Sequence, residues 1–127
     1  MAQRQAGPEG KPLPTDILSA DCPARRVLAL IGDKWTPVVL YCLSAGVQRF
    51  SELQRRIPDI SKKMLIQVLR ELERSKLVER TVYNEVPPKT EYRLTEAGLH
   101  FHEPVALLCH WAGDNTKLLD AIDAARR

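Results

Sequence analysis

Residues 49–75 read RFSELQRRIPDISKKMLIQVLRELERS: a short apolar-spaced segment, a Pro-Asp break, and a longer segment with neither Gly nor Pro. Phe50, Leu53 and Ile57 fall at i, i+3 and i+7, which predicts a short helix over Arg49–Ile57 with Ser51 as its N-cap. Pro58 and Asp59 predict a tight turn. Ser61 then predicts a second N-cap, with Ile60 and Leu65 at hydrophobic-staple positions, for a helix running to about Ser75. At about 100° per residue Leu65, Val68, Leu69 and Leu72 share one face of that helix, and Lys63, Gln67, Arg70 and Arg74 share the other. One face is built for a core, and the other is free to enter a groove.

Working outward, the period changes after Leu77. Val78–Tyr83 and Thr90–Leu94 are rich in Val, Thr and Tyr and flank a Pro-containing connector, which predicts a β-hairpin. Thr95 followed by Glu96 predicts the start of a long helix, with Phe101, Val105, Leu108 and Ala112 at helical spacing, Leu107 and Trp111 widening the stripe, and Pro104 available to bend it. Leu118, Leu119 and Ile122 predict a last helical stretch. Upstream, Pro23 opens a helix carrying Val27, Leu28, Leu30 and Ile31 that Gly32 stops. A second, nearly all-apolar helix covers roughly Lys34–Leu43, with Pro37 in its first turn. Residues 1–20, with Gly7, Pro8, Gly10, Pro12 and Pro14, predict a flexible arm, leaving residues 21–127 as one domain. The order is helix, helix, short helix, turn, helix, hairpin, helix. The fold class expected is therefore mainly α with a small β-hairpin wing, a winged helix-turn-helix with terminal dimerisation helices.

Composition narrows the functional classes. Hydrophobic residues at 44% and charged residues at 28% are those of an ordinary globular protein. No run nears the roughly 18 apolar residues of a bilayer span, and no apolar signal core opens the chain, so the expected location is cytoplasmic, nucleoid-associated when bound to DNA. The net charge of +3 is unevenly spread. Residues 49–93 hold eleven Lys and Arg against seven Asp and Glu, a net of +4. The positive excess thus coincides with the two-faced helix and the hairpin.

The residue types on the polar face suit base reading. Lys and Arg can donate to guanine O6 and N7, and Gln can pair with adenine N6 and N7. Lys62, Lys63, Met64, Gln67 and Arg70 are the candidate base-reading residues, those nearest the helix start reaching deepest. Ser51 and Ser61 at helix starts, and Arg55, Arg56, Arg74, Arg80, Lys89 and Arg93, are the candidate contacts to the DNA backbone. The bland alternative is a charged face that only meets solvent; an adjoining hairpin with a Pro-rich tip weighs against it.

Cys22-Pro23, Gly32-Asp33-Lys34-Trp35, Arg49-Phe50-Ser51-Glu52-Leu53, Ile60-Ser61-Lys62-Lys63-Met64-Leu65, Leu69-Arg70-Glu71-Leu72-Glu73, and Val82-Tyr83-Asn84-Glu85-Val86-Pro87-Pro88 with Glu91-Tyr92-Arg93-Leu94-Thr95 follow one another in an order that resembles the HxlR-type regulators. Asp33 and Asn84 stand where Gly and Pro are the usual residues, both at surface turns. The resemblance, over roughly residues 22–112, implies a bacterial or archaeal winged-helix transcription factor similar to the MarR group, acting on double-stranded DNA with an inverted-repeat operator as a homodimer, repressor or activator. It implies dimer contacts from the terminal helices. Here these would use Val27, Leu28, Ile31, Phe101, Val105, Leu108 and Trp111.

Cys22 precedes Pro23 at a helix start, with Arg25 and Arg26 close by, an arrangement that favours a thiolate. The resemblance adds that several HxlR-type members sense quinones, aldehydes or oxidants through a cysteine at this position, so a small electrophile or oxidant is the expected effector and Cys22 the redox-sensing candidate. An unreactive cysteine packed at a dimer seam is the other reading. Cys42, in an apolar helix, reads as a buried small hydrophobe, and Cys109 similarly. His100 and His102, two apart on a helix, point to nearly opposite faces, so no metal site is expected. No phosphate loop, paired-acid motif or nucleophile elbow is present in the sequence, which predicts a non-enzyme without cofactors. Two rival functions use the same fold: a protein-interaction module, and a small-molecule sensor without direct DNA reading.

Overall fold

The computed structural model describes residues 22–127. The arm expected over residues 1–20 lies outside the described residues. The chain divides into two units, one ending at Lys34 and one spanning Trp35–Arg127. In the first unit, helix α1 (Pro23–Ile31) has Cys22 as N-cap and Pro23 at its first position, and the Gly32 N–H closes it on the Leu28 carbonyl at 2.7 Å.

The second unit holds α2 (Thr36–Leu43), β1 (Gln48–Arg49), α3 (Phe50–Arg56), α4 (Lys62–Arg74), β2 (Val78–Tyr83), β3 (Lys89–Leu94), α5 (Glu96–Asp114) and α6 (Thr116–Ala125). Helix α2 begins two residues later than expected, at Thr36, with Pro37 in its first turn, where its missing N–H costs no helical bond. Its Val39, Leu40, Cys42 and Leu43 are buried, and it packs on α5. Leu53 of α3 and Leu65, Val68, Leu69 and Leu72 of α4 complete the core with Val78, Tyr92 and Leu94 of the sheet. Burial of each large aliphatic side chain contributes about 1.5–3 kcal/mol, so this set, rather than any surface ion pair, holds α4 in place.

The sheet has three strands in the order β1-β3-β2, all antiparallel, with Gln48 opposite Tyr92, and Arg80 opposite the same Tyr92 on the other side. Strand β1 was not expected: two residues are too few to show alternation. It has a consequence for α3. Arg49 is still extended (φ −79°, ψ 156°), so the helix starts at Phe50, and Ser51 lies in its first turn rather than capping it. The carboxylate of Glu52 accepts from the Arg49 N–H at 2.8 Å instead.

The turn between α3 and α4 places Asp59 in the left-handed region (φ 67°), which Asp tolerates better than most residues. Ser61 then caps α4 as expected, its hydroxyl accepting from the Met64 N–H at 3.0 Å. At the other end the Leu77 N–H bonds the Leu72 carbonyl and the Lys76 N–H bonds the Glu73 carbonyl, a Schellman closure that turns the chain directly into β2. Gly98 comes so near the Leu77 carbonyl that a Cβ could not fit, which seats the first turn of α5 against the α4–β2 corner. Helix α5 continues through Pro104 without ending.

Candidate nucleic-acid interface

Helix α4 presents its outer face as the sequence predicts. Lys62, Lys63, Gln67 and Arg70 are exposed, and Met64 is half-buried. Two grooves run along it. The first, of about 490 Å³, lies between α4 and the wing and is lined by Phe50, Lys62, Ile66, Leu69, Arg70, Glu73, Arg80, Thr90 and Tyr92. The second runs over the outer face between Lys62, Lys63, Ile66, Gln67, Arg70 and Glu71. Four of the five candidate base-reading residues therefore line one surface. Met64 lines neither groove, and Ile66, which charge patterning did not single out, lines both.

The candidate backbone residues separate into groups. Arg80 shares the first groove with α4, 3.5 Å from the Glu73 carboxylate. Burial pushes the Tyr92 hydroxyl there above the usual phenol range, with Arg80 opposing and Glu73 reinforcing the shift. Ser51 and Lys89 line a further groove with Arg49 and Pro87 at the junction of α3 and the wing tip. Lys89 Nζ is held 4.6 Å from the centroid of the Tyr83 ring and 3.9 Å from the Glu91 carboxylate. The hydrogen bond to Glu91 raises the Tyr83 hydroxyl above its ordinary value, keeping it a neutral donor. Arg55 and Arg56 are exposed at the end of α3, and Ser61 is exposed at the start of α4.

Arg93 stands apart from these groups. In register it opposes Glu79, one residue along from the Arg80–Tyr92 pair that faces the α4 groove, so it lies on the reverse face of the sheet. There it bonds Glu79 at 3.2 Å. Arg74 pairs with Glu71 on the last turns of α4. In contrast Arg55, Arg56, Lys62, Lys63 and Arg70 form no salt bridge among the described residues. These five cations all stand on α3 and α4.

Position also sorts the residues expected at a dimer interface. Val105 is 0% exposed and Ile31 is buried, so both are core residues of their own chain, whereas Leu28, Leu108 and Trp111 are exposed and Val27 and Phe101 half-buried. The spacing of apolar residues on α5 merged two faces: one packs inward at Gly98 and Val105, and another leaves Leu107, Leu108 and Trp111 outside, with Leu118 and Ile122 exposed on α6. Cys22 is fully buried, and its sulfur accepts from the Arg25 N–H at 3.3 Å. Cys42 is also buried and Cys109 partly exposed. The Nδ1 of His102 is buried without a partner, its ring 5.8 Å from that of Tyr41. No helix among the described residues is long and apolar enough to cross a membrane.

These elements define a winged helix-turn-helix of the kind found in transcription regulators similar to the MarR group. The chain belongs to the HxlR-like helix-turn-helix family, which matches it over residues 30–120. It is 55% identical over 84 residues to the uncharacterized HTH-type transcriptional regulator YkvN of Bacillus subtilis, covering 66% of this chain and 71% of that one. Among solved structures it is similar to the transcriptional regulator ytfH from Salmonella typhimurium, with TM-score 0.72 and 35% identity, covering 87% of this chain and 97% of that one. It is similar also to the redox regulator HypR in its reduced form, with TM-score 0.74 and 39% identity, covering 79% of this chain and 99% of that one. The family and these relatives are transcriptional regulators, not enzymes.

Proposed function

We propose that this protein is a sequence-specific DNA-binding transcription regulator acting as a homodimer, which places two copies of α4 in successive major grooves about 34–36 Å apart, with the wings on the flanking DNA. One observation carries the reading: α4 buries one face against its own core while the other presents Lys62, Lys63, Gln67 and Arg70 beside the wing. The exposed pairs Arg80–Glu73 and Arg74–Glu71 do not oppose it, because solvent screens such pairs and they exchange readily for a phosphate. Replacing Arg70 or Gln67 by Ala should cost about 1–3 kcal/mol on the preferred site and relax the preference at one base pair. Replacing Lys89 by Ala should weaken binding to all duplexes alike. A uniform loss from all three changes, measured on matched and mismatched duplexes, would contradict base reading by α4. Binding with little salt dependence would favour the protein-interaction reading instead.

A second reading concerns control. HypR is a redox regulator solved in reduced and oxidized forms, and Cys22 stands at the start of α1, within reach of a backbone N–H. Oxidation or alkylation of Cys22 would remove that cap and change the amino-terminal unit. Because Cys22 is buried, its reaction requires that unit to open.

A further inference from the structure

Ile66 stands where a charged face has no need of an aliphatic residue. Helical spacing sets Lys62, Ile66 and Arg70 in one row, each about 6 Å from the next along the axis. Leu65, Val68, Leu69 and Leu72 are buried, but Ile66 keeps part of its surface exposed. It lines the groove toward the wing and also the outer groove with Lys63 and Gln67. Its flanking cations, Lys62 and Arg70, form no salt bridge among the described residues. An apolar side chain between two such cations, on a face that meets a polyanion, calls for an apolar group on that polyanion. In the major groove a base pair offers one such group, the C5-methyl of thymine.

Resting on the DNA-binding reading above, we infer that Ile66 is a specificity-determining residue that reads a thymine methyl at one position in each half-site. The cations on either side fix the register of α4, and Ile66 distinguishes thymine from cytosine between them. The contact is independent of hydrogen bonding, so removing the methyl tests it alone.

The experiment uses the full-length protein and a duplex that it selects from random sequence. Each thymine of one half-site is replaced in turn by deoxyuridine, which pairs identically and lacks only the methyl. Wild-type protein should lose about fourfold in affinity at one position, the effect of burying one carbon's worth of apolar surface. Ile66→Ala should bind thymine and deoxyuridine there equally, and Ile66→Val should retain most of the difference. Thermal melting of Ile66→Ala, a substitution on a partly exposed helix position that favours Ala, verifies its fold. Indifference of the wild type at every thymine, or an unchanged methyl effect in Ile66→Ala, would overturn the inference while leaving DNA recognition intact. Failure to select any sequence would remove the DNA-reading account, and this inference with it.

Discussion

Lys76 is a residue whose conformation outweighs its chemistry. It closes α4 with φ 63°, a region that costs a non-glycine residue about 1 kcal/mol and that glycine enters freely. Lys76→Gly should relieve that strain but lose about 0.4–1 kcal/mol to the freer unfolded chain, so stability should rise by no more than about 0.6 kcal/mol and Tm by no more than about 3 °C in a thermal melt. The thiols offer a second test at this scale. Burial pushes the Cys42 thiol up, opposed more weakly by the Arg56 guanidinium. Its neutral form is the one the fold favours, so its contribution to stability is full below the free thiol's pKa and is lost as pH rises through the folded value. Alkylation followed by mass spectrometry at pH 8 should label partly exposed Cys109 well before Cys42, with Cys42 gaining only at more alkaline pH. The sequence made Cys42 legible as a buried hydrophobe because its whole helix is apolar. It could not reveal that Val105 is buried and Leu108 exposed, since both satisfy the same helical spacing.

At the scale of elements, caps and turns were readable wherever the chemistry is local. Ser61, Pro58-Asp59, Thr95 and Pro23 each mark a boundary through a hydroxyl, a ring or a tolerance of left-handed backbone, and each stands where expected. Strand β1 was not readable because its two residues become a strand only by pairing with β3, a contact about 40 residues away in sequence. The same pairing moved the start of α3 off Ser51 and, through the register of β2 with β3, put Arg93 on the reverse face. The exposed apolar residues Leu107, Leu108 and Trp111 on α5 and Leu118 and Ile122 on α6 support the homodimer proposed above, since exposed apolar patches mark interaction sites. A Leu107→Glu, Leu108→Glu double variant should run as a monomer in sedimentation, with helix content unchanged and affinity for a two-half-site duplex reduced at least tenfold. A double variant that remained dimeric would move the interface away from α5.

Across the whole molecule, charge and hydrophobicity divide the labour. The positive excess of residues 49–93 converges on α3, α4 and the wing, while α5 and α6 expose Leu99, Leu107, Leu108, Trp111, Leu118 and Ile122. Association with DNA should accordingly be steeply salt-dependent. With about three phosphate contacts from each protomer, log K against log salt should fall with a slope of about −5. Site-specific DNA recognition is tested by mixing the purified protein with sheared genomic DNA from its source at moderate salt, recovering the bound fragments and sequencing them. One or a few intergenic fragments should dominate, sharing an inverted repeat with half-sites one helical turn apart. Recovery spread evenly over the genome, under both reducing and oxidising conditions, would contradict such recognition.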